Sequence, residues 1–455
     1  MWQKVKNVYH LGNAFLANVW FGFPSRSLTV IGVTGTDGKT TTVSLIYHIL
    51  HTAGYNASMI SSVGAIIGGK SYDVGFHVTT PSPWALQRFI KKAARGPVAP
   101  SSHPMSSVAS SLRALDRTPS SRATPRSRFL ILETTSHALD QHRVFGIKFD
   151  VGVLTNVTHE HLDYHKTYEN YVNAKVKLLK RSKVAIVNKD DGSYKFVIAK
   201  LKAQNSKLQL KAQNLRTYGI GSNADINAET FPFKTKLIGE FNQYNILAAV
   251  AACKALGISD EYIRKGIETF KAPIGREEIV FKKDFTVMID FAHTPNAFEQ
   301  ILSSIRPSIK GRLIHVFGAA GERDATKRPL MGKTSAKYSD IIVLTSEDPR
   351  SEPVEKIMDE ISKEIFNFQS FDKLRTGFSI FNENQNKNFQ FEKGRKYLFK
   401  IPDRQEAINV AIKMARKGDF VLITGKSHEK SMNYGNGEEP WDEFEAVKKA
   451  LRLRS

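Results

Sequence analysis

The chain has one cysteine among 455 residues, Cys253, in an apolar helical stretch (ILAAVAACKAL). A lone thiol excludes a disulfide framework and reads as inert core in a reducing, cytoplasmic setting. Long hydrophobic runs are also missing. An apolar N-terminal stretch, Val8 to Phe23 (VYHLGNAFLANVWFGF), is broken by His10, Asn13 and Asn18. A bilayer span takes about 20 apolar residues, and no small-residue cleavage site follows. The stretch reads as a helix packing on the first domain, with peripheral contact at a membrane surface as the other reading. Acidic residues are few, 44 against 66 Lys and Arg, for a net charge of +22. That excess suits nucleic acid, a membrane surface or small anionic substrates. The bases are spread along the chain without an aromatic-interleaved cluster, which argues against specific nucleic-acid binding.

What the chain does have is a strand running into glycines, Val30 to Thr42 (VIGVTGTDGKTTT). Gly32, Gly35 and Gly38 let backbone N–H groups approach anionic oxygens, and Lys39 adds a point charge. Thr40 offers a hydroxyl to Mg²⁺, and a helix opening near Lys39 presents its N-terminus to negative charge. The spacing departs from the common GxxxxGK[ST] rule, with Val33 where that rule has glycine. A glycine-rich turn that holds no nucleotide is the alternative; Gly-Lys-Thr opening a helix directly after a strand favours the phosphate cradle.

This length exceeds a single core and implies two or three domains. Strands at 28–33, 129–133, 151–156 and 184–188 alternate with helices, the pattern of a mostly parallel, doubly wound α/β sheet. Residues 95–128, rich in Ser, Pro, Arg and Ala, lack apolar periodicity and read as a disordered insertion. In a doubly wound sheet ligands lie beyond the carboxyl ends of the strands. Glu133, closing FLILE, and His161, after VGVLTN, are therefore expected on the rim that carries Lys39 and Thr40. Together they suggest a Mg²⁺ site, while the run HEHLDYH leaves zinc and purely structural histidine as alternatives. The following helix (TYENYVNAKVKLL) puts Tyr168, Tyr171, Val172 and Lys175 on one face. Taken alone, Lys175 there reads as a snorkelling surface lysine.

Strands near 285–291, 312–317, 340–345 and 419–424 make a second α/β domain after a boundary near Ala272-Pro273. Each ends in polar residues: Asp290 and His293; Arg323; Asp348 with Arg350; and Lys426 with His428 and Glu429. Four such strand ends on one rim point to a binding crevice. The polar, Asn-rich stretch 368–396 reads as a second insertion.

The motifs GVTGTDGKTTT, LETTSHALDQHRVFGIKFDVGVLTNVTHEHLDYHKTYENYVNAK, GEFNQYNILAA, IGREE, IDFAHTPNA, FGAAGERDATKRPLMG, EDPRSE and GKSHE follow one another in an order that resembles the Mur ligase family over about residues 28 to 450. The resemblance implies a P-loop-type central ATPase domain, 28–272, and a Rossmann-like domain for the incoming amino acid, 273–455, after an N-terminal helix or linker, 1–27. It further implies ATP-dependent, ADP-forming amide ligation through an acyl phosphate. An amino acid, meso-diaminopimelate or L-lysine, would join the terminal carboxylate of a UDP-N-acetylmuramoyl-dipeptide-like peptidoglycan precursor. By the same resemblance ATP contacts fall on Gly35, Thr36, Gly38, Lys39, Thr40, Thr41, Asn242, Asn245, Arg276, Asp290 and His293. Two Mg²⁺ ions fall to Thr40, Glu133, His161 and Lys175, the last as a carbamate, which reverses the surface reading of that lysine. Catalysis falls to Lys39, Glu133, His161 and Lys175. Thr79, Thr80, Ser136 and Arg143 match residues on the muramoyl-peptide, and Arg323, Asp348, Arg350, Gly425 and Glu429 match residues around the amino acid.

Two departures from the family pattern stand out. Where it has Asp-Asn-Pro-Arg, the motif of enzymes adding meso-diaminopimelate, this chain has Glu347-Asp348-Pro349-Arg350. Arg350 favours a distal carboxylate, while Asp348 adds negative charge beside it and keeps lysine open. The chain also has 31 residues before Gly32, against about a hundred in the family, the size of a small domain. From this we expect affinity to rest on the peptide and muramoyl groups, with little from uridine. Folylpolyglutamate and cyanophycin synthetases share the cradle and the chemistry but fit the TTP and EDPR motifs poorly. A nucleotide-binding scaffold with idle catalytic residues is the alternative from another class.

Overall fold

The computed structural model describes residues 2–75, 79–95, 128–202, 214–221, 223–372, 392 and 394–454. Apart from its two end residues, the insertion read at 95–128 lies outside the described residues. The chain divides into two units, Met1–Thr158 with His165–Pro273, and His159–Tyr164 with Ile274–Ser455.

The first unit has β1 (Thr29–Thr34), β2 (Asn56–Ser61), β3 (Gly64–Ile67), β4 (Lys70–Tyr72), β5 (Arg128–Glu133), β6 (Phe149–Leu154), β7 (Ser182–Asn188) and β8 (Leu215–Tyr218). They lie in the order β4-β3-β2-β5-β1-β6-β7-β8, parallel except for β3 and β4 at one edge. β1 is central because its side chains are apolar on both faces: Ile31 and Val33 enter one core and Val30 the other. On the first face pack the helices Lys39–Thr52, Glu240–Ala255 and Asp260–Thr269, through Ile46, Leu247, Val250 and Ile263. On the other, the helix Pro83–Arg95 lays Leu86 and Ile90 against Leu130 and Leu132. Each fully buried aliphatic side chain of this kind contributes about 1.5–3 kcal/mol. Cys253 lies in the first core, where burial pushes its thiol up and out of reach of ionisation.

The helix Trp2–Phe21 packs on the helix Pro83–Arg95. It buries Ala14, Ala17 and Asn18, and Asn18 Nδ2 donates to Ala14 O and Phe145 O. Among the described residues no helix is long and apolar enough to cross a membrane.

The second unit has β9 (Glu278–Lys282), β10 (Thr286–Asp290), β11 (Leu313–Phe317), β12 (Ile341–Leu344), β13 (Phe368–Asp372), β14 (Lys396–Lys400) and β15 (Phe420–Thr424), in the order β13-β14-β12-β11-β15-β10-β9. Only β9 is antiparallel. A two-stranded ribbon, β16 (Ser431–Asn433) with β17 (Glu438–Pro440), follows. The stretch 368–396, read from sequence as an insertion, is corrected at both ends. Phe368–Asp372 is an edge strand paired in parallel with β14, and Lys396 already belongs to β14. A solvent-facing edge strand tolerates the polar side chains that disguised it. Residues 373–391 and 393 lie outside the described residues.

Candidate active site

β1 ends at Thr34 and the chain turns through Gly35 to Gly38 before the helix at Lys39. Gly38 has φ of 79°, and a Cβ there would lie 2.1 Å from Asn245 Oδ1. Only glycine fits this contact between the turn and the helix Glu240–Ala255. No side chain caps Gly38, which leaves the first N–H groups of the helix available to an anion. Neighbouring strand ends hold the turn. Asn156 Oδ1 accepts from Thr36 N at 3.2 Å and Asp37 N at 2.9 Å, and Thr155 Oγ1 donates to Asp37 O at 2.7 Å. Thr36 Oγ1 lies 3.1 Å from the Tyr171 hydroxyl and accepts from Thr158 N at 3.0 Å. Lys39 Nζ folds back to donate to Thr36 O at 2.6 Å. Sequence reasoning did not single out Asn156, whose position just past β6 was the available signal, and gave Tyr171 only a helical face shared with Lys175.

At the end of β5, Glu133 is almost fully buried, and Thr40 Oγ1 lies 3.3 and 3.1 Å from its two carboxylate oxygens. Ser62 adds a hydroxyl 3.0 Å from Thr40 Oγ1, and its N–H donates to Glu133 Oε2 at 3.1 Å. Hydroxyl and carboxylate oxygens are hard donors, so this set fits Mg²⁺. Thr41 is buried in the same helical turn.

Lys175 is 1% exposed, which overturns the surface reading made from its helix alone. The helix Tyr168–Lys180 presses Tyr171, Val172 and Val176 into the unit, and Lys175 shares that buried face. Its Nζ donates to Gly35 O at 2.6 Å and sits 4.4 Å from the Tyr171 ring centroid.

The histidines of HEHLDYH make separate contacts. His159 Nε2 lies 2.9 Å from Thr326 Oγ1, and His161 Nδ1 lies 3.8 Å from Glu160 Oε1, both within the second unit. His165 belongs to the first unit, with Nε2 3.0 Å from Ser136 Oγ. Burial, then the charge of His137, lowers the His165 pKa to about 4. Among the described residues there is no group of three or more His, Cys, Asp or Glu side chains placed to hold a metal ion.

Thr80, Ser136 and Arg143 gather around the end of β5. Thr80 Oγ1 donates to Glu133 O at 3.0 Å and accepts from Thr135 N at 3.1 Å, while Arg143 Nη1 donates to Thr80 O at 3.0 Å. Ser136 opens a short helix capped by Thr135, and Thr79 is half-buried beside Thr80. Asn245 Nδ2 donates to Asn242 Oδ1 at 3.1 Å, which fixes the amide that faces Gly38.

In the second unit Asp290 ends β10 and accepts from Glu277 N at 2.8 Å and Ala292 N at 2.7 Å. Burial raises its pKa, and Arg276 opposes the shift. The Arg276 guanidinium lies 4.3 Å over the Phe291 ring, whose centroid is 4.9 Å from His293 and 4.8 Å from His428. Phe291 is therefore an aromatic hub that sequence reasoning missed.

Beyond β12 and β15, Lys426 is fully buried and donates to Asp348 Oδ1 and Oδ2, each at 2.9 Å, and to Glu429 Oε2 at 2.7 Å. Asn433 N also donates to Asp348 Oδ1, at 2.9 Å. The extra negative charge that Asp348 brings is thus met inside the protein. Arg350 Nη1 donates to Gly321 O at 2.5 Å. Arg323 has no hydrogen-bond or ion-pair partner among the described residues; partial desolvation and then the charge of Arg350 lower its pKa. Gly425 has φ of 106°, and a Cβ there would lie 2.2 Å from Glu347 Oε2, a buried oxygen without a hydrogen-bond partner among the described residues. Desolvation raises the Glu347 pKa to about 8 against the opposing charges of Arg404 and Lys327.

A glycine-rich turn at a helix N-terminus on one doubly wound unit, followed by a second, mostly parallel sheet with charged strand ends, fits an ATP-dependent ligase. Residues 33–99 and 114–253 match the Mur ligase middle domain, and residues 275–427 match the Mur ligase, glutamate ligase domain. The chain belongs to the Mur ligase family. It is 36% identical over 445 residues to a UDP-N-acetylmuramoyl-L-alanyl-D-glutamate–2,6-diaminopimelate ligase of Aquifex aeolicus, covering 96% of this chain and 80% of that one. A similarly named ligase of Clostridium acetobutylicum is 35% identical over 94% of this chain and 79% of its own length. A solved structure of a UDP-N-acetylmuramoyl-L-alanyl-D-glutamate–2,6-diaminopimelate ligase superposes with a TM-score of 0.53 at 25% identity, over 94% of this chain and 79% of that one.

Proposed function

We propose that this chain joins meso-diaminopimelate to the terminal carboxylate of a UDP-N-acetylmuramoyl-dipeptide-like precursor, with ATP converted to ADP and phosphate. A carboxylate is a poor electrophile, so the γ-phosphoryl group passes first to its oxygen, giving an acyl phosphate. The amine then attacks the carbonyl carbon, phosphate leaves with the bonding electron pair, and the amine sheds its proton. Positioning and charge neutralisation supply most of the rate in such transfers. The first unit would bring Gly35, Thr36, Gly38, Lys39, Thr40, Thr41, Asn242 and Asn245 to the nucleotide, and Thr79, Thr80, Ser136 and Arg143 to the muramoyl-peptide. Lys39 would swing from Thr36 O onto the transferring phosphoryl oxygens. In the second unit Arg276, Asp290 and His293 would be nucleotide contacts by family resemblance, with Arg276 and His293 ordered around Phe291.

Mg²⁺, when bound, supplies Lewis-acid stabilisation of phosphoryl charge. Thr40 and Glu133 would hold it, and two ions are proposed, with His161 a further ligand by family resemblance. Lys175 would join them after its amine adds to carbon dioxide with loss of a proton, giving an anionic carbamate. Burial beside Gly35 O supports this, because a buried ammonium would otherwise add positive charge next to a cation.

The observation that carries the choice of amino acid is the pairing of Asp348 with Lys426. It leaves Arg323 and Arg350 as a cationic pair for a distal carboxylate, with Glu429 beside the same distal group and Gly425 at the amino acid. ADP release by purified protein, measured with UDP-N-acetylmuramoyl-dipeptide and either amino acid, tests the reading. Turnover should require acceptor and meso-diaminopimelate together. Ligation of lysine with indifference to meso-diaminopimelate would overturn the assignment.

A further inference from the structure

The helix Trp2–Phe21 is oriented against the usual rule. Its buried side is small and polar, with Ala14, Ala17 and Asn18 fully buried. Its outward side is apolar: Val8, Tyr9, Phe15, Leu16, Val19 and Trp20 recur at helical spacing and are 49% to 74% exposed. A stripe of this size on one helix marks an interaction surface.

The surrounding charge says which kind. No Asp or Glu occurs before Asp37, whereas Lys6 and Arg26 are exposed. The neighbouring helix Pro83–Arg95 has Arg88, Lys91, Lys92 and Arg95 and no acid. Trp20 and Trp84 meet edge to face at 6.4 Å across the two helices, and Trp84 Nε1 donates to Asn13 Oδ1 at 2.6 Å. An apolar stripe with tryptophan, flanked by these cations and by an Asp140 that meets Asn7 of the helix but is already paired with Lys177, matches the interface of an anionic bilayer, where rings and aliphatic chains enter the headgroup boundary and Lys and Arg meet phosphate. A second copy of the chain would bring two cationic rims together. The helix is already folded and docked through its polar side, so binding costs little ordering.

We propose that the exposed face of the helix Trp2–Phe21, with the basic helix Pro83–Arg95, docks this protein peripherally on an anionic lipid surface. Vesicle flotation with the full chain tests this, using phosphatidylcholine alone and phosphatidylcholine with phosphatidylglycerol. Binding should be at least about tenfold stronger to the anionic vesicles and weaken with salt. Leu16→Glu with Trp20→Glu should remove about tenfold or more of it, and Arg88→Glu with Lys92→Glu should abolish the preference for anionic lipid. Ligation without vesicles should be unchanged in both variants. If Leu16→Glu with Trp20→Glu does not fold, Val8→Glu with Tyr9→Ser repeats the test on another turn. No binding to anionic vesicles, binding unaffected by these substitutions, or a dimer in light scattering that the same substitutions dissolve would each overturn the proposal.

Discussion

Lys426 Nζ stands 2.9 Å from each carboxylate oxygen of Asp348, with both side chains buried, and the same ammonium reaches Glu429. Breaking a buried pair by removing one partner strands the other charge. Lys426→Met should therefore cost about 3–5 kcal/mol of unfolding free energy in urea. Asp348→Asn should cost far less, because Lys426 keeps Glu429 and the amide still accepts from Asn433 N. Equal losses in the two variants would mean that the pair is incidental to stability.

Lys175 supplies a sharper test of the proposed chemistry. If its carbamate supports the metal, Lys175→Ala abolishes ligation, and a small added carboxylate restores part of it by replacing the missing oxygens. The substitution leaves Thr40 and Glu133 in contact, so nucleotide binding should survive better than turnover. Turnover like that of the wild type in Lys175→Ala would remove the lysine from the mechanism.

Gly38 ties the cradle to the helix that carries Asn245. Alanine there meets both a left-handed backbone angle and a carbonyl oxygen 2.1 Å from its Cβ. The backbone term alone costs about 1–2 kcal/mol. Gly38→Ala should weaken ATP binding by about tenfold or more, equivalent to about 1.4 kcal/mol, in a calorimetric titration. Unchanged affinity would show that the turn is not the nucleotide cradle.

The elements that sequence reveals most directly are those whose own residues decide them. β1, β5, β6 and β7 are apolar on both faces, and the turn before Lys39 states its glycines openly. β3 and β4 are short edge strands, and β13 is polar, so periodicity gives little sign of them. The position of Lys175 shows a different limit. A helical wheel reveals which residues share its face but not how deeply that face is buried, so the amine reads as surface until the packing of Tyr171 and Val172 is known. Asp348 reads as an unwelcome charge for a similar reason: its partner Lys426 lies on the loop after another strand, and that proximity is made by the sheet order. Asn156, Ser62 and Phe291 act through contacts with other elements, and their local sequence gives no strong signal.

Glu347 should leave a signature in the pH dependence of stability. Its ordinary pKa is 4.5, and desolvation raises it to about 8 in the folded protein. Between those values the folded state holds a proton that the unfolded chain has released. The contribution of this group to stability is therefore fully present below about 4.5 and is lost as pH rises through about 8. The slope is on the order of 1 kcal/mol per pH unit while only this group titrates. Glu347→Gln cannot ionise and keeps the shape that faces Gly425, so its stability relative to wild type should rise with pH across that window. Thermal melts of both proteins in matched buffers measure the difference. Parallel curves would show that Arg404 and Lys327 hold Glu347 ionised throughout, and the carboxyl beneath Gly425 would then be an anion facing the proposed amino-acid site.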